Sequence, residues 1–186
     1  MFDRRGNRKY LNSAEREAFR LSSTAESDLA EETFCLTLLY TGCRISEALN
    51  VPCRRLDLSE RALIFETLKR RHRGMFRAVP MPDFLVKSIQ QLVVGKKPTA
   101  RIWDYSRTTA WRLIKGKMAR AEIKGVQACP KGLRHGFAIA CLSENIPLTT
   151  VKKWLGHARL ETSAIYLEVG GNEERQFAKR LWQALE

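Results

Sequence analysis

Between Lys131 and Tyr166 the chain gathers groups suited to a phosphodiester: Lys131-Gly132-Leu133-Arg134-His135, then Leu155-Gly156-His157, then a phenol nine residues further on at Tyr166. Phosphoryl transfer shifts negative charge around the phosphorus in the transition state, so it depends on cations aimed at the non-bridging oxygens. Arginine suits this best, because its planar fork gives two hydrogen bonds and stays protonated. Arg134 heads an otherwise apolar stretch, and a second arginine, Arg44, follows Tyr40-Thr41-Gly42-Cys43 at the end of another. A tyrosine becomes a covalent nucleophile when neighbouring cations favour its oxyanion. Each residue alone has a plainer reading: a helix-end arginine paired with a carboxylate or capping carbonyls, and a helix tyrosine packed in a core. Their joint occurrence argues for chemistry.

The elements that must position these groups are mostly helical. Asn12 and Glu15 have capping-box spacing and predict a helix from Ser13 to Leu21, after a polar, basic lead over residues 1–10 that is expected to be loose. A core helix starts near Ser27 and Asp28, carries Leu29, Phe34, Leu36, Leu38 and Leu39, and stops near Gly42. A short helix over residues 44–49 ends at Asn50 and Pro52. Two runs of strand character, 62–67 and 75–80, flank Lys69-Arg70-Arg71-His72-Arg73-Gly74 and predict a β-hairpin with a basic tip. Helices are expected near 83–94, 107–122, 132–144, 148–155, 160–168 and 173–185, divided by turn signals such as Gly125 to Pro130 and Gly170-Gly171. The expected class is mainly α with a small antiparallel β-sheet (α+β).

A chain of 186 residues fits one domain and is long enough to bury a core. Its 33 basic and 20 acidic side chains leave a net charge of +13, which favours a polyanion, nucleic acid above all, over a merely solvated basic face. The five cysteines are scattered, without the close spacing of a zinc or thioredoxin-type motif, and most of them, set among apolar neighbours, read as small buried hydrophobes in a reducing compartment. The start lacks the apolar run of a signal peptide, and no stretch has the length of a membrane span, so no membrane partner is expected.

Thr41-Gly42-Cys43-Arg44-Ile45-Ser46-Glu47-Ala48-Leu49, Leu133-Arg134-His135-Gly136-Phe137-Ala138, and Leu155-Gly156-His157 followed by Tyr166 together resemble the catalytic domain of tyrosine recombinases, or phage-type integrases. The likeness covers about residues 10–170 and implies the integrase catalytic-domain fold. It also implies site-specific recombination of double-stranded DNA, as mobile genetic elements use, in a prokaryotic cytoplasm at the nucleoid, with no cofactor, no metal and no small-molecule substrate. Under that resemblance Tyr166 attacks the scissile phosphate, forming a 3′-phosphotyrosyl bond and freeing a 5′-hydroxyl. Arg44, Arg134 and His157 hold the non-bridging oxygens, Glu47 orients the site, and Lys69 protonates the leaving oxygen. Lys131 stands where the family usually has histidine. A lysine there donates to phosphate, or serves as a base if neighbouring cations depress its pKa. His135 lies outside the family's catalytic pattern and reads as structural support. Arg70, Arg71 and Arg73 are expected on the DNA backbone. Arg107, Thr108, Arg112 and Lys115, on the 107–122 helix, would meet bases or phosphates in the major groove. The plainer reading of that helix is a solvated basic face with Trp111 and Leu113 packed inward.

The expected organisation is a catalytic domain over residues 11–170 and a C-terminal helix over 171–186, with no separate N-terminal core-binding domain. A naturally short recombinase and a fragment both fit. Phe177, Leu181, Trp182 and Leu185 have helical spacing, and the resemblance implies that this helix is exchanged between protomers of a synaptic tetramer; packing on its own domain is the alternative. Two other functions stay open: type IB topoisomerase-like relaxation, and a catalytically inert DNA-binding accessory protein.

Overall fold

The computed structural model describes residues 1–25, 28–67, 74–159, 161–166, 178–179 and 182. Its elements run α1 (Ser13–Thr24), α2 (Leu29–Thr41), α3 (Ile45–Ala48), β1 (Leu56–Asp57), β2 (Ala62–Glu66), β3 (Phe76–Pro80), α4 (Asp83–Val93), α5 (Arg107–Arg120), α6 (Pro130–Ser143), α7 (Leu148–Leu155) and α8 (Glu161–Ala164). The class is the expected one, helical with a small antiparallel sheet. The hairpin tip, with Lys69, Arg70, Arg71 and Arg73, lies outside the described residues, as does most of the C-terminal segment.

α1 opens as its sequence predicts: Asn12 Oδ1 accepts from the Glu15 amide at 2.8 Å, and the Glu15 carboxylate accepts from the Asn12 amide at 3.0 Å. It runs past Leu21 to Thr24, with the Ser23 hydroxyl donating back to the Phe19 carbonyl. α2 is the central helix. Asp28 caps its start, every residue from Thr33 to Leu39 is buried, and the Trp103 indole donates to Thr33 Oγ1 at 3.0 Å. Gly42 ends it in the left-handed region at φ 59°, where a Cβ would collide with the Phe137 ring. Glycine meets both demands, and the turn it makes delivers Arg44 to the head of α3.

The sheet order is β1-β2-β3, all antiparallel, with Leu63 opposite Val79 and Phe65 opposite Arg77. β1 pairs Leu56 with Leu63 and is too short to show a period of two in the sequence. Leu63, Phe65 and Val79 face inward, and alternation places Arg77 on that same buried face.

α6 begins at Pro130 rather than at residue 132. Proline at the first helical position lacks only an amide that would have no helical partner, so a residue read as a turn breaker starts the helix. The lead is another correction. Phe2 and Arg8 form a bridge around a turn in which the Asp3 carboxylate accepts from the amides of Arg5 and Asn7, and Tyr10 is buried. The turn chemistry of Asp3 and of Gly6, at φ 77°, orders a stretch whose polarity suggested a loose arm.

Among the described residues, buried hydrophobic side chains form two clusters. The larger surrounds α2, and the smaller joins Tyr10, Phe137, Ala138, Ile139, Cys141, Val151, Leu155 and Tyr166. Among the described residues no helix is long and apolar enough to cross a membrane.

Candidate active site

Arg134 spans the seam between the clusters. Its guanidinium donates to the Gly42 carbonyl at the end of α2 and to the Leu155 carbonyl at the end of α7, both at 2.8 Å. The αL turns at Gly42 and Gly156 leave those carbonyls free to receive it. Burial, and then the positive charge of Arg44, bring its pKa down to about 10, so it still carries its proton at neutral pH.

Arg44 is held from below by Glu47. One carboxylate oxygen accepts from Arg44 Nη1 at 2.7 Å, and the other accepts from the Arg44 amide at 2.9 Å. Glu47 in turn meets Arg77, whose Nη2 donates at 2.6 Å and whose Nε donates to the Trp154 carbonyl at 2.7 Å. Burial alone would push the Glu47 carboxyl up, but Arg77 and Arg44 outweigh it and hold the pKa below the usual carboxylate range. Gly156, at φ 64°, gives Arg77 room, since a Cβ there would stand 2.8 Å from its Nη1.

The nucleophile candidate is mounted differently. Tyr166 follows α8, closed by a bond from its amide to the Ser163 carbonyl at 3.1 Å, and is buried to 2% exposure. Its hydroxyl shares a 3.0 Å hydrogen bond with His135 Nδ1, and its ring stacks on that of His157 with centroids 6.1 Å apart. His157 Nδ1 is bonded to the buried Ser163 hydroxyl at 2.8 Å. Burial raises the phenol's pKa, and Arg134 and Arg44 pull the other way. Burial, then Lys131, Arg134 and Lys9, lower His135 to about 4, so its imidazole is neutral.

These groups line one cavity of about 580 Å³, with Arg44, Lys131, Arg134, His135, His157 and Tyr166 on its wall and Arg107 and Trp111 beside them. Among its described lining residues there is no carboxylate. Of the sequence-predicted set, Arg44, Lys131, Arg134, His157 and Tyr166 thus come together, with Glu47 beneath. Lys69 falls outside the described residues. The cavity suits a buried anion: it holds fixed positive charge, with a phenol hydroxyl and an imidazole beside it.

On α5, Arg107, Thr108 and Arg112 are exposed, while Lys115 turns back to donate to the Ala128 carbonyl at 2.8 Å. Trp111 does not pack inward. It is 47% exposed at the cavity's edge.

Sequence reasoning missed Arg77 and Ser163. The signal for Arg77 was its phase: it alternates with Val79, so any register that buries Val79 buries the arginine too. Ser163 left no such trace. His135 was assigned a supporting place, and the structure sets it against the Tyr166 hydroxyl.

The phage integrase family model matches residues 11–173. A tyrosine recombinase of Thermosipho africanus is 29% identical over 161 residues, covering 84% of this chain and 56% of that protein. The tyrosine recombinase XerA of Thermococcus onnurineus is 32% identical over 144 residues, covering 71% and 49%. The crystal structure of XerA recombinase aligns with 92% of this chain and 64% of that one at a TM-score of 0.77 and 25% identity. The catalytic domain of bacteriophage HP1 integrase shares the fold, with a TM-score of 0.67, 20% identity, and coverage of 91% and 93%. The chain spans little more than half the length of the curated relatives it matches. With its fold, its buried tyrosine and this match across residues 11–173, the chain belongs to the phage integrase family, the tyrosine recombinases.

Proposed function

We propose that this chain breaks and rejoins DNA at specific sites through a covalent 3′-phosphotyrosyl intermediate. The observation that carries the reading is the buried Tyr166 hydroxyl in a cavity walled by Arg44, Lys131, Arg134 and His157. Tyr166 attacks the scissile phosphorus, and the two arginines with His157 hold the non-bridging oxygens as negative charge shifts around it. The site is positioned before substrate arrives, because Arg134 is tied to two backbone carbonyls and Arg44 to Glu47. Lys131, in the first turn of α6, donates to the same phosphate. Lys69 serves as the acid for the 5′-oxygen. It follows two residues after Thr67, which shares a second cavity of about 560 Å³ with His157.

Arg107, Thr108 and Arg112 reach the duplex from α5, and Arg70, Arg71 and Arg73 meet its backbone, while Lys115 stays engaged with the fold. Recombination joins two duplexes, so the working assembly is a synaptic tetramer on DNA, with the 171–186 segment exchanged between protomers. The exposed Trp182 supports that exchange. Light scattering on a DNA complex tests the assembly.

The chemistry is tested with a pool of nicked suicide duplexes whose core is randomised. The wild-type chain is expected to form a denaturant-resistant protein–DNA adduct, which sequencing then maps to a site. Tyr166→Phe should abolish the adduct while retaining DNA binding. Adduct formation by that variant removes Tyr166 as the nucleophile, and DNA binding by the wild-type chain without any adduct favours an accessory protein. Relaxation of plasmids lacking the site favours a topoisomerase.

A further inference from the structure

We infer that His135 is the proton acceptor for Tyr166, taking the phenolic proton during cleavage and returning it on religation, an assignment that rests on the DNA-cleavage reading above. His135 Nδ1 lies 3.0 Å from the phenolic oxygen, and both residues are buried, at 7% and 2% exposure. A proton leaving this phenol therefore has few destinations. Arg44, Arg107, Lys131 and Arg134 are cations and offer no lone pair. The nearby carboxylate, Glu47, is occupied by Arg44 and Arg77. The Cys43 thiol is pushed up to about 12 by burial, so it supplies no thiolate. His157 lies nearly parallel to the tyrosine ring, at 13°, and turns its Nδ1 to Ser163.

His135 is kept neutral by burial and by the cations facing it, Lys131 and Arg134 on its own helix and Lys9 from the lead. In the tautomer that carries the ring proton on Nε2, this neutral imidazole turns its acceptor lone pair, on Nδ1, to the phenol across the neutral range. A base this weak takes the proton late, as the O–P bond draws charge from the phenolic oxygen, and releases it readily in reverse. The balance is complete: the Tyr166 Oη–P bond forms, the P–O5′ bond breaks, the phenolic proton moves to His135 Nδ1, and Lys69 supplies the proton to O5′. Religation reverses each transfer. The position three residues before Arg134 holds Lys131, whose ammonium has no lone pair to accept that proton.

The same contact in a resting latch would hold the tyrosine back, and the sign of the rate change separates the two roles. Single-turnover cleavage is measured on a duplex selected from the randomised pool, with an oxygen or a 5′-bridging sulfur leaving group. The sulfur needs no protonation to depart. His135→Gln should slow cleavage by about 10²-fold on both substrates, with DNA affinity retained. Lys69→Ala should be slow on oxygen alone. The smaller His135→Asn, checked by thermal melting and DNA binding, should repeat the defect and guards against a folding failure in the first variant. Cleavage as fast as wild type or faster in the His135 variants overturns the inference and leaves the cleavage reading intact, and so does recovery on the sulfur substrate. Absence of any wild-type adduct sinks both.

Discussion

Arg44 and Arg134 are fixed by charge, against a carboxylate and two backbone carbonyls. Tyr166 sits at the end of a helix four residues long, held by a histidine at 3.0 Å and a stacked ring, with Arg134 and Arg44 acting on its hydroxyl. The arginine half is tied to α2, α3, α7 and β3 at once. A cation aimed at a non-bridging oxygen helps only if it need not reorganise when charge develops, so strong, redundant anchoring is what that half requires. Under the proposed function the tyrosine must instead form and break a covalent bond to phosphorus, and its hydrogen bond to the neutral His135 is weaker than one to an ion. Substitutions in the arginine half should therefore cost stability and rate together, and those in the tyrosine half should cost mainly rate.

The strongest way to break this contrast is Glu47→Ala. Glu47 holds Arg44 at 2.7 Å and Arg77 at 2.6 Å, and the Arg77 side chain is 5% exposed. Removing the carboxylate leaves a buried guanidinium uncompensated and should lower stability by about 3–5 kcal/mol in urea denaturation. Adding Arg77→Met should restore part of the loss by removing the stranded charge. A loss under about 1 kcal/mol would mean that the ion pairs do not anchor this half.

That prediction turns on a residue that local pattern reading passed over. Arg44, Arg134, His157 and Tyr166 were legible because their spacing along the chain carries the pattern, and the helices because caps and apolar runs are local. Arg77 acts through Glu47, 30 positions away, and through the Trp154 carbonyl, 77 away, contacts that exist only after the sheet packs against α3 and α7. His135 was read from its place beside Arg134, but its partner is set by how α8 returns across α6. The lead was misread because charge was weighed and the Asp3 turn was not. Lys115, one basic residue among several on α5, gave no local sign that it would turn to Ala128.

A second test uses acid. His135 has a pKa near 4 in the fold, against an unperturbed value of 6.5. The unfolded chain therefore binds the extra proton first, and stability must fall as pH drops from about 6.5 to 4. The group's full contribution, present above that window, is about 3 kcal/mol. Urea midpoints at pH 7 and pH 4.5 should diverge more in the wild type than in His135→Gln. Equal divergence would show that His135 is not held neutral by Lys131, Arg134 and Lys9, and the tyrosine half would then be more solvated than its burial indicates.

The smallest stability effect belongs to Ser163→Ala. The Ser163 hydroxyl is buried and bonded to His157 Nδ1 at 2.8 Å, so its loss should cost about 1 kcal/mol. Its consequence for chemistry should be larger, because the bond sets the ring that stacks on Tyr166 and, under the proposed function, holds the phosphate. Cleavage should slow by roughly 10-fold with DNA affinity unchanged, read by single-turnover kinetics beside filter binding. A stability loss as large as that of Glu47→Ala would erase the contrast between the halves. Unchanged cleavage would show that packing between the His157 and Tyr166 rings orients the histidine without the serine.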